Sequence, residues 1–178
     1  MSHSQWEKKK LKKAANGKDT HKIFTKLVRL IAAEAKKCGG NRENPELKAA
    51  IAKARDIQMP SDNIERAIKK ASDPSAAMES ITYEAYGPAG VGIIIETLTD
   101  SRNRTAQEIK HTLSENGTAL AGIGAVTWAF QKEITENGMV WKPTTTVAVS
   151  ETDAEELEKL VNILEANDDV QEVYTNAE

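Results

Sequence analysis

The chain has 178 residues, 39% of them hydrophobic, enough to bury an ordinary core as one domain or two small ones. No apolar run approaches the roughly 20 residues that a bilayer crossing needs, and Met1 leads into polar, lysine-rich sequence with neither a signal-peptide core nor a transit extension. A soluble, cytoplasmic protein without membrane contact is expected. The single cysteine, Cys38, cannot form an internal disulfide and has no His/Cys cluster around it, which excludes disulfide scaffolds and structural zinc and leaves no resident metal or cofactor expected.

The net charge of −3 conceals a division. Residues 1–70 carry 18 Lys+Arg against 8 Asp+Glu, whereas residues 71–178 carry 6 against 19. A basic half joined to an acidic half suits a polyanion-binding module on an acidic body. The change falls in the small, proline-containing stretch Ala71-Ser72-Asp73-Pro74-Ser75-Ala76-Ala77. A basic all-helical domain over 1–74 and an acidic α/β domain over 75–178 are therefore expected.

In chain order, a lysine-rich helix over about Gln5 to Ala15 stops at Asn16-Gly17. A second helix over Thr20 to Cys38, with Thr20 as N-cap, ends at Gly39-Gly40. Its Ile23, Phe24, Leu27, Val28, Leu30, Ile31 and Ala35 fill one arc, and Lys22, Lys26, Arg29 and Lys36 lie on the opposite, solvent side. A third opens at Asn44-Pro45 and is interrupted at Met59-Pro60; Ser61 caps a fourth, whose Ile64, Ala67 and Ile68 complete a small bundle. The second half then reads as a strand over Gly90 to Thr99, a helix over Arg104 to Glu115, and strands over Ala125 to Phe130 and Thr144 to Val149. A helix after Ser150 and a last strand over Val170 to Tyr174 follow. The class is α+β: a basic helical bundle followed by a ferredoxin-like β-α-β-β-α-β domain with two helices on one face of an antiparallel sheet.

The densest functional signal is Lys8, Lys9, Lys10, Lys12, Lys13 and Lys18, continued by Lys22, Lys26 and Arg29. Like charges held this close repel, and a polyphosphate partner relieves them through counterion release; the plain alternative is a solvated basic surface. Trp6, beside the cluster, either stacks on a base or staples the first helix to the bundle, and His3 opens the same segment. Arg102 and Arg104, around Asn103 at a strand-to-helix turn, either hold a phosphate or pair with the acidic body while Asn103 caps the helix. Base stacking on the sheet in the manner of an RNA-recognition motif is excluded, because that module needs aromatics on its central strands, whereas Thr144 to Val149 has none and the first strand offers only Val and Ile. Gly87-Pro88-Ala89-Gly90-Val91-Gly92 precedes a strand instead of following one, Gly122-Ile123-Gly124 lacks a phosphate-loop lysine, and His3, His21 and His111 are scattered. No catalytic residue and no small-molecule substrate are expected.

Several separated stretches stand out: Ser2-His3-Ser4-Gln5-Trp6, Lys12-Lys13-Ala14-Ala15, Lys22-Ile23-Phe24-Thr25-Lys26-Leu27, Met59-Pro60-Ser61-Asp62-Asn63-Ile64-Glu65-Arg66-Ala67-Ile68, Tyr83-Glu84-Ala85-Tyr86-Gly87-Pro88, Thr99-Asp100-Ser101-Arg102-Asn103-Arg104-Thr105-Ala106 and Asp168-Asp169-Val170-Gln171-Glu172-Val173-Tyr174. Together they resemble the YebC/PmpR family, which includes the mitochondrial translational activator of cytochrome c oxidase subunit I. The chain lacks the glycine of the family's usual Ser-Gly-His-Ser-Lys-Trp opening. Only Gln131 to Pro143 stands where members carry an inserted third domain, so it resembles a short, two-domain form. The resemblance implies a ribosome-associated translation factor or a promoter-binding transcriptional regulator. Expected from sequence is a monomeric, non-enzymatic protein whose partner is rRNA or the ribosome, with DNA as the alternative.

Overall fold

A computed structural model of the protein describes residues 20–71, 77–135 and 138–178. The expected first helix and the stretch 72–76, where the sequence divides, lie outside them. Helix α1 (Thr20–Lys37) ends where Gly39 and Gly40 take φ of 62° and 79°, closing the turn with a Gly40 N–H to Ala35 carbonyl bond of 2.7 Å. Helix α2 (Pro45–Asp56) is capped by the Asn44 side chain, which accepts from the N–H groups of Glu46 and Leu47 at 3.0 and 3.2 Å. Helix α3 (Ser61–Lys70) follows Pro60, which occupies the cap position; Ser61 is the first helical residue and caps nothing. Ile31, Ala35, Leu47, Ala50, Ile51, Ala54, Met59, Ile64 and Ala67 form the bundle's core.

Strand β1 (Glu79–Tyr86) turns through Pro88–Gly90 into β2 (Gly92–Thr99), and β2 also pairs with β5 (Val170–Thr175), both antiparallel. Helices α4 (Arg102–Glu115) and α5 (Glu151–Glu165) cover one face of this three-stranded sheet. Their Ile109, Leu113, Leu157, Leu160 and Leu164 meet Ile93, Ile95, Val170 and Val173. Strands β3 (Phe130–Thr135) and β4 (Gly138–Pro143) form a separate hairpin. Phe130, Val140 and Trp141 of this hairpin pack with Ile94 and Tyr174 of the sheet. Gly138, the first residue of β4, approaches the helical part: a Cβ at that position would stand 4.0 Å from that of Ala49.

The α+β class holds, as do the helix pair on one face and the pairing of first and last strands that a ferredoxin-like arrangement requires. The middle of the expected order is corrected. Thr127–Ala129 is a short 3-10 turn and strand structure begins only at Phe130, because the backbone N–H groups of Gly124, Val126 and Thr127 are taken by the Glu84 carboxylate. Thr144 to Val149, rich in β-branched residues, forms a single isolated bridge among the described residues, Val147 with Ala177. The two strands lie instead in the expected loop, where Lys132 stacks 4.5 Å from the centroid of its cross-strand neighbour Trp141. β1 has no counterpart among the expected strands, although Ile81, Tyr83 and Ala85 alternate along it.

Ile95 is fully buried between the sheet and its helices, so Ile95→Ala should cost about 2–5 kcal/mol in urea unfolding. A loss under about 0.5 kcal/mol, the range of ordinary surface changes, would contradict this packing.

Candidate nucleic-acid interface

His3, Trp6, Lys8, Lys9, Lys10, Lys12, Lys13 and Lys18 lie outside the described residues. Lys22 is exposed near the start of α1. Lys26 and Arg29, expected on the solvent side of α1, face the acidic part instead. Lys26 Nζ donates to the Glu165 carbonyl at 2.5 Å, and Arg29 Nη1 donates to the Asp168 carbonyl at 2.9 Å and to Asp169 Oδ1 at 2.7 Å. Arg104 Nη2 reaches Asp169 Oδ2 at 2.7 Å and Asp100 Oδ1 at 2.9 Å, and Arg102 pairs with Glu79. Of the two readings of these arginines, the structure displays the pairing with the acidic body. Ser101, not Asn103, occupies the cap position of α4.

Asp169 is where these contacts meet. It is 3% exposed. Besides the two arginines, its Oδ2 accepts from Thr105 Oγ1 at 2.7 Å and Thr99 Oγ1 at 3.2 Å, while its own N–H is held by Asn167 Oδ1 at 2.8 Å. Burial alone would push its carboxyl up. The hydrogen bonds and charge of Arg104, the Thr105 hydroxyl and the Arg29 hydrogen bond outweigh burial and hold it below the usual carboxylate range. Sequence periodicity does not reveal this group, because its partners come from α1, α4 and the end of β2, far apart in the chain.

A second buried carboxylate organises the loop before the hairpin. Glu84, 6% exposed, accepts from the N–H groups of Gly124, Val126 and Thr127 at 2.7, 2.7 and 2.9 Å. These bonds hold it below its ordinary value against the upward push of burial. The loop so fixed presents Ile123 and Trp128 to solvent, with the Trp128 indole N–H bonded to the Ala125 carbonyl.

The bundle keeps an outward cationic surface of its own. Lys36, Lys48, Arg55, Arg66, Lys69 and Lys70 are all exposed, with Arg66, Lys69 and Lys70 spaced to share one face of α3. Arg42 is paired with Glu65, and Lys37 with Glu34. Among the described residues no group of three or more His, Cys, Asp or Glu is placed to hold a metal ion, and no helix is long and apolar enough to cross a membrane.

Asp169→Asn should cost about 1–3 kcal/mol at pH 7, the lower end applying because both arginines retain water contact. The folded carboxyl being depressed, its contribution is fully present above the unfolded value near 3.9 and lost as pH falls through the folded one. Parent and variant should therefore converge in acid, measured by urea unfolding between pH 7 and pH 3. Equal stability at pH 7 would contradict the assignment.

Comparison with known proteins agrees with this architecture. Residues 4–74 match the TACO1/YebC protein N-terminal domain, and residues 78–135 and 131–177 match the TACO1/YebC second and third domain. A probable transcriptional regulatory protein of Fervidobacterium nodosum is 37% identical over 232 aligned positions, covering 98% of this chain and 92% of that one. Those 232 positions exceed the 178 residues here, so that relative carries residues without counterpart in this chain. A probable transcriptional regulatory protein of Chlorobaculum parvum is 44% identical over 176 positions, 97% of this chain and 68% of that one. The crystal structure of the conserved hypothetical protein Aq1575 from Aquifex aeolicus superposes with a TM-score of 0.81 at 30% identity, covering 91% of each chain. On the match of both domain models, which together span nearly its whole length, the chain belongs to the TACO1/YebC family.

Proposed function

We propose that the protein is a non-enzymatic, RNA-binding translation factor that grips rRNA through its basic residues 1–74 and uses the acidic residues 75–178 as a positioning body. The observation that carries this reading is the segregation of charge, 18 Lys+Arg against 8 Asp+Glu in residues 1–70 and 6 against 19 in the remainder. A surface built this way holds phosphates by charge and shape without reading bases. Two features support RNA held by its backbone over bases stacked on the sheet. The face of β2 and β5 away from the helices is covered by Val126, Phe130 and Trp141 around Ile94 and Tyr174. Tyr174 itself is only 6% exposed.

A second reading, a DNA-binding transcriptional regulator, is favoured by the name of the relatives, probable transcriptional regulatory protein. The two separate on specificity. A regulator of particular promoters requires specific binding at least ~10³ tighter than non-specific binding at physiological salt, whereas a backbone grip does not.

Co-sedimentation with ribosomes should weaken steeply as salt rises. Replacing Lys8, Lys9, Lys10, Lys12 and Lys13 together by Gln should weaken it at least about tenfold, since several phosphate contacts are lost at once. Equal sedimentation of parent and variant would refute the RNA reading. A promoter-to-random affinity ratio near one would remove the DNA reading.

A further inference from the structure

Lys22, Lys26 and Arg29 stand at i, i+4 and i+7 along α1, a single stripe on one face of the helix. One member of the stripe is exposed and the other two are latched onto the acidic part. The acceptors are unequal. Lys26 is held by the Glu165 carbonyl, and Arg29 by the Asp168 carbonyl and by Oδ1 of Asp169. Were Arg29 to leave, Asp169 Oδ2 would keep Arg104, Thr105 and Thr99, all contributed by its own part of the molecule. Asp169 would thus keep charge compensation and hydrogen bonds, and Asp168, exposed, leaves its carbonyl within reach of water. Releasing the α1 arm therefore strands no buried charge. Removing Arg104 would take the charged partner from Oδ2, the oxygen on which three of the four side-chain donors converge.

We infer that Lys26 and Arg29 are a releasable latch: a polyphosphate backbone that first meets Lys22 takes both cations from Glu165, Asp168 and Asp169, so that binding on α1 loosens the joint between the helical and the acidic parts. This deepens, and rests on, the reading of α1 as part of an RNA grip. With both Nη1 hydrogens committed to Asp169 and the Asp168 carbonyl, a phosphate can take the two-pronged Nη1–Nη2 grip of Arg29 only by breaking those bonds, so joint closure and a bidentate phosphate contact at Arg29 oppose one another. By linkage, joint closure and phosphate binding weaken each other by the same factor, so whatever weakens the joint without removing the cations strengthens binding.

The test uses the full chain with Cys38→Ser, spin labels on Lys70→Cys of α3 and Lys110→Cys of α4, and a 30-nucleotide poly(U) RNA as probe. Pulsed dipolar spectroscopy should show one narrow distance distribution without RNA and a broader or shifted one at saturation. In the Lys26→Gln/Arg29→Gln variant the distribution should be broad from the start and RNA should change it little. Asp169→Asn, which keeps both cations but weakens their acceptor, should bind the probe about three- to tenfold more tightly by fluorescence anisotropy. Tight binding of poly(U) with an unchanged distance, or unchanged affinity in a folded Asp169→Asn chain, overturns the latch alone. No binding of the probe by the parent overturns the underlying reading and the latch with it.

Discussion

A carboxylate enclosed by two guanidinium groups and two hydroxyls holds the two halves of this protein in register. Asp169 sits at the start of β5, in a turn whose N–H is fixed by Asn167, and its two oxygens face different parts of the molecule. Through Oδ2 it ties the start of α4 to the end of β2; through Oδ1 it reaches α1. Placing such a charge at 3% exposure is unfavourable unless every lone pair is met. Arg104, Thr105 and Thr99, close together around the turn into α4, meet Oδ2, and Arg29 of α1 meets Oδ1. The same group that completes the acidic part thereby sets where the basic bundle stands against it.

Around this joint the two cores are separate. The bundle closes on Ile31, Leu47 and Ile64, and the sheet with its helices closes on Ile93, Ile95 and Leu113. A third, smaller cluster on the other face of the sheet anchors the β3–β4 hairpin through Phe130 and Trp141, and Trp141 bonds Glu96 of β2 at 2.7 Å. Gly138, the first residue of β4 in that hairpin, stands near Ala49 of α2. Under the proposed function, the acidic surface beyond the joint would repel phosphate while the cationic surface attracts it, orienting a nucleic acid on one side of the molecule without any base-specific contact.

The helices were legible in the sequence because their signals are local. Asn44-Pro45 at a start, paired glycines at an end and three-to-four spacing between them set α1 and α2 within a residue or two. The strands between 120 and 150 were not, because their fate depends on a residue some forty positions earlier. Glu84 draws the backbone of Gly124, Val126 and Thr127 into a loop, and no local pattern announces it. The same limit applies to the candidate site. A helical wheel assigns Lys26 and Arg29 to water because it sees only α1, whereas the acceptors that claim them lie about 140 residues away. The pairing of Arg102 and Arg104 with acidic neighbours was readable as one of two alternatives, and the structure shows it.

The central claim is that polyphosphate meets the basic bundle and not the sheet. Amide chemical-shift mapping on isotopically labelled full-length protein, titrated with an rRNA fragment, tests it most directly. The account predicts shift changes concentrated in residues 1–70, spreading only to the 165–169 segment that faces α1. Changes centred on β1, β2 and β5, with the bundle silent, would contradict it.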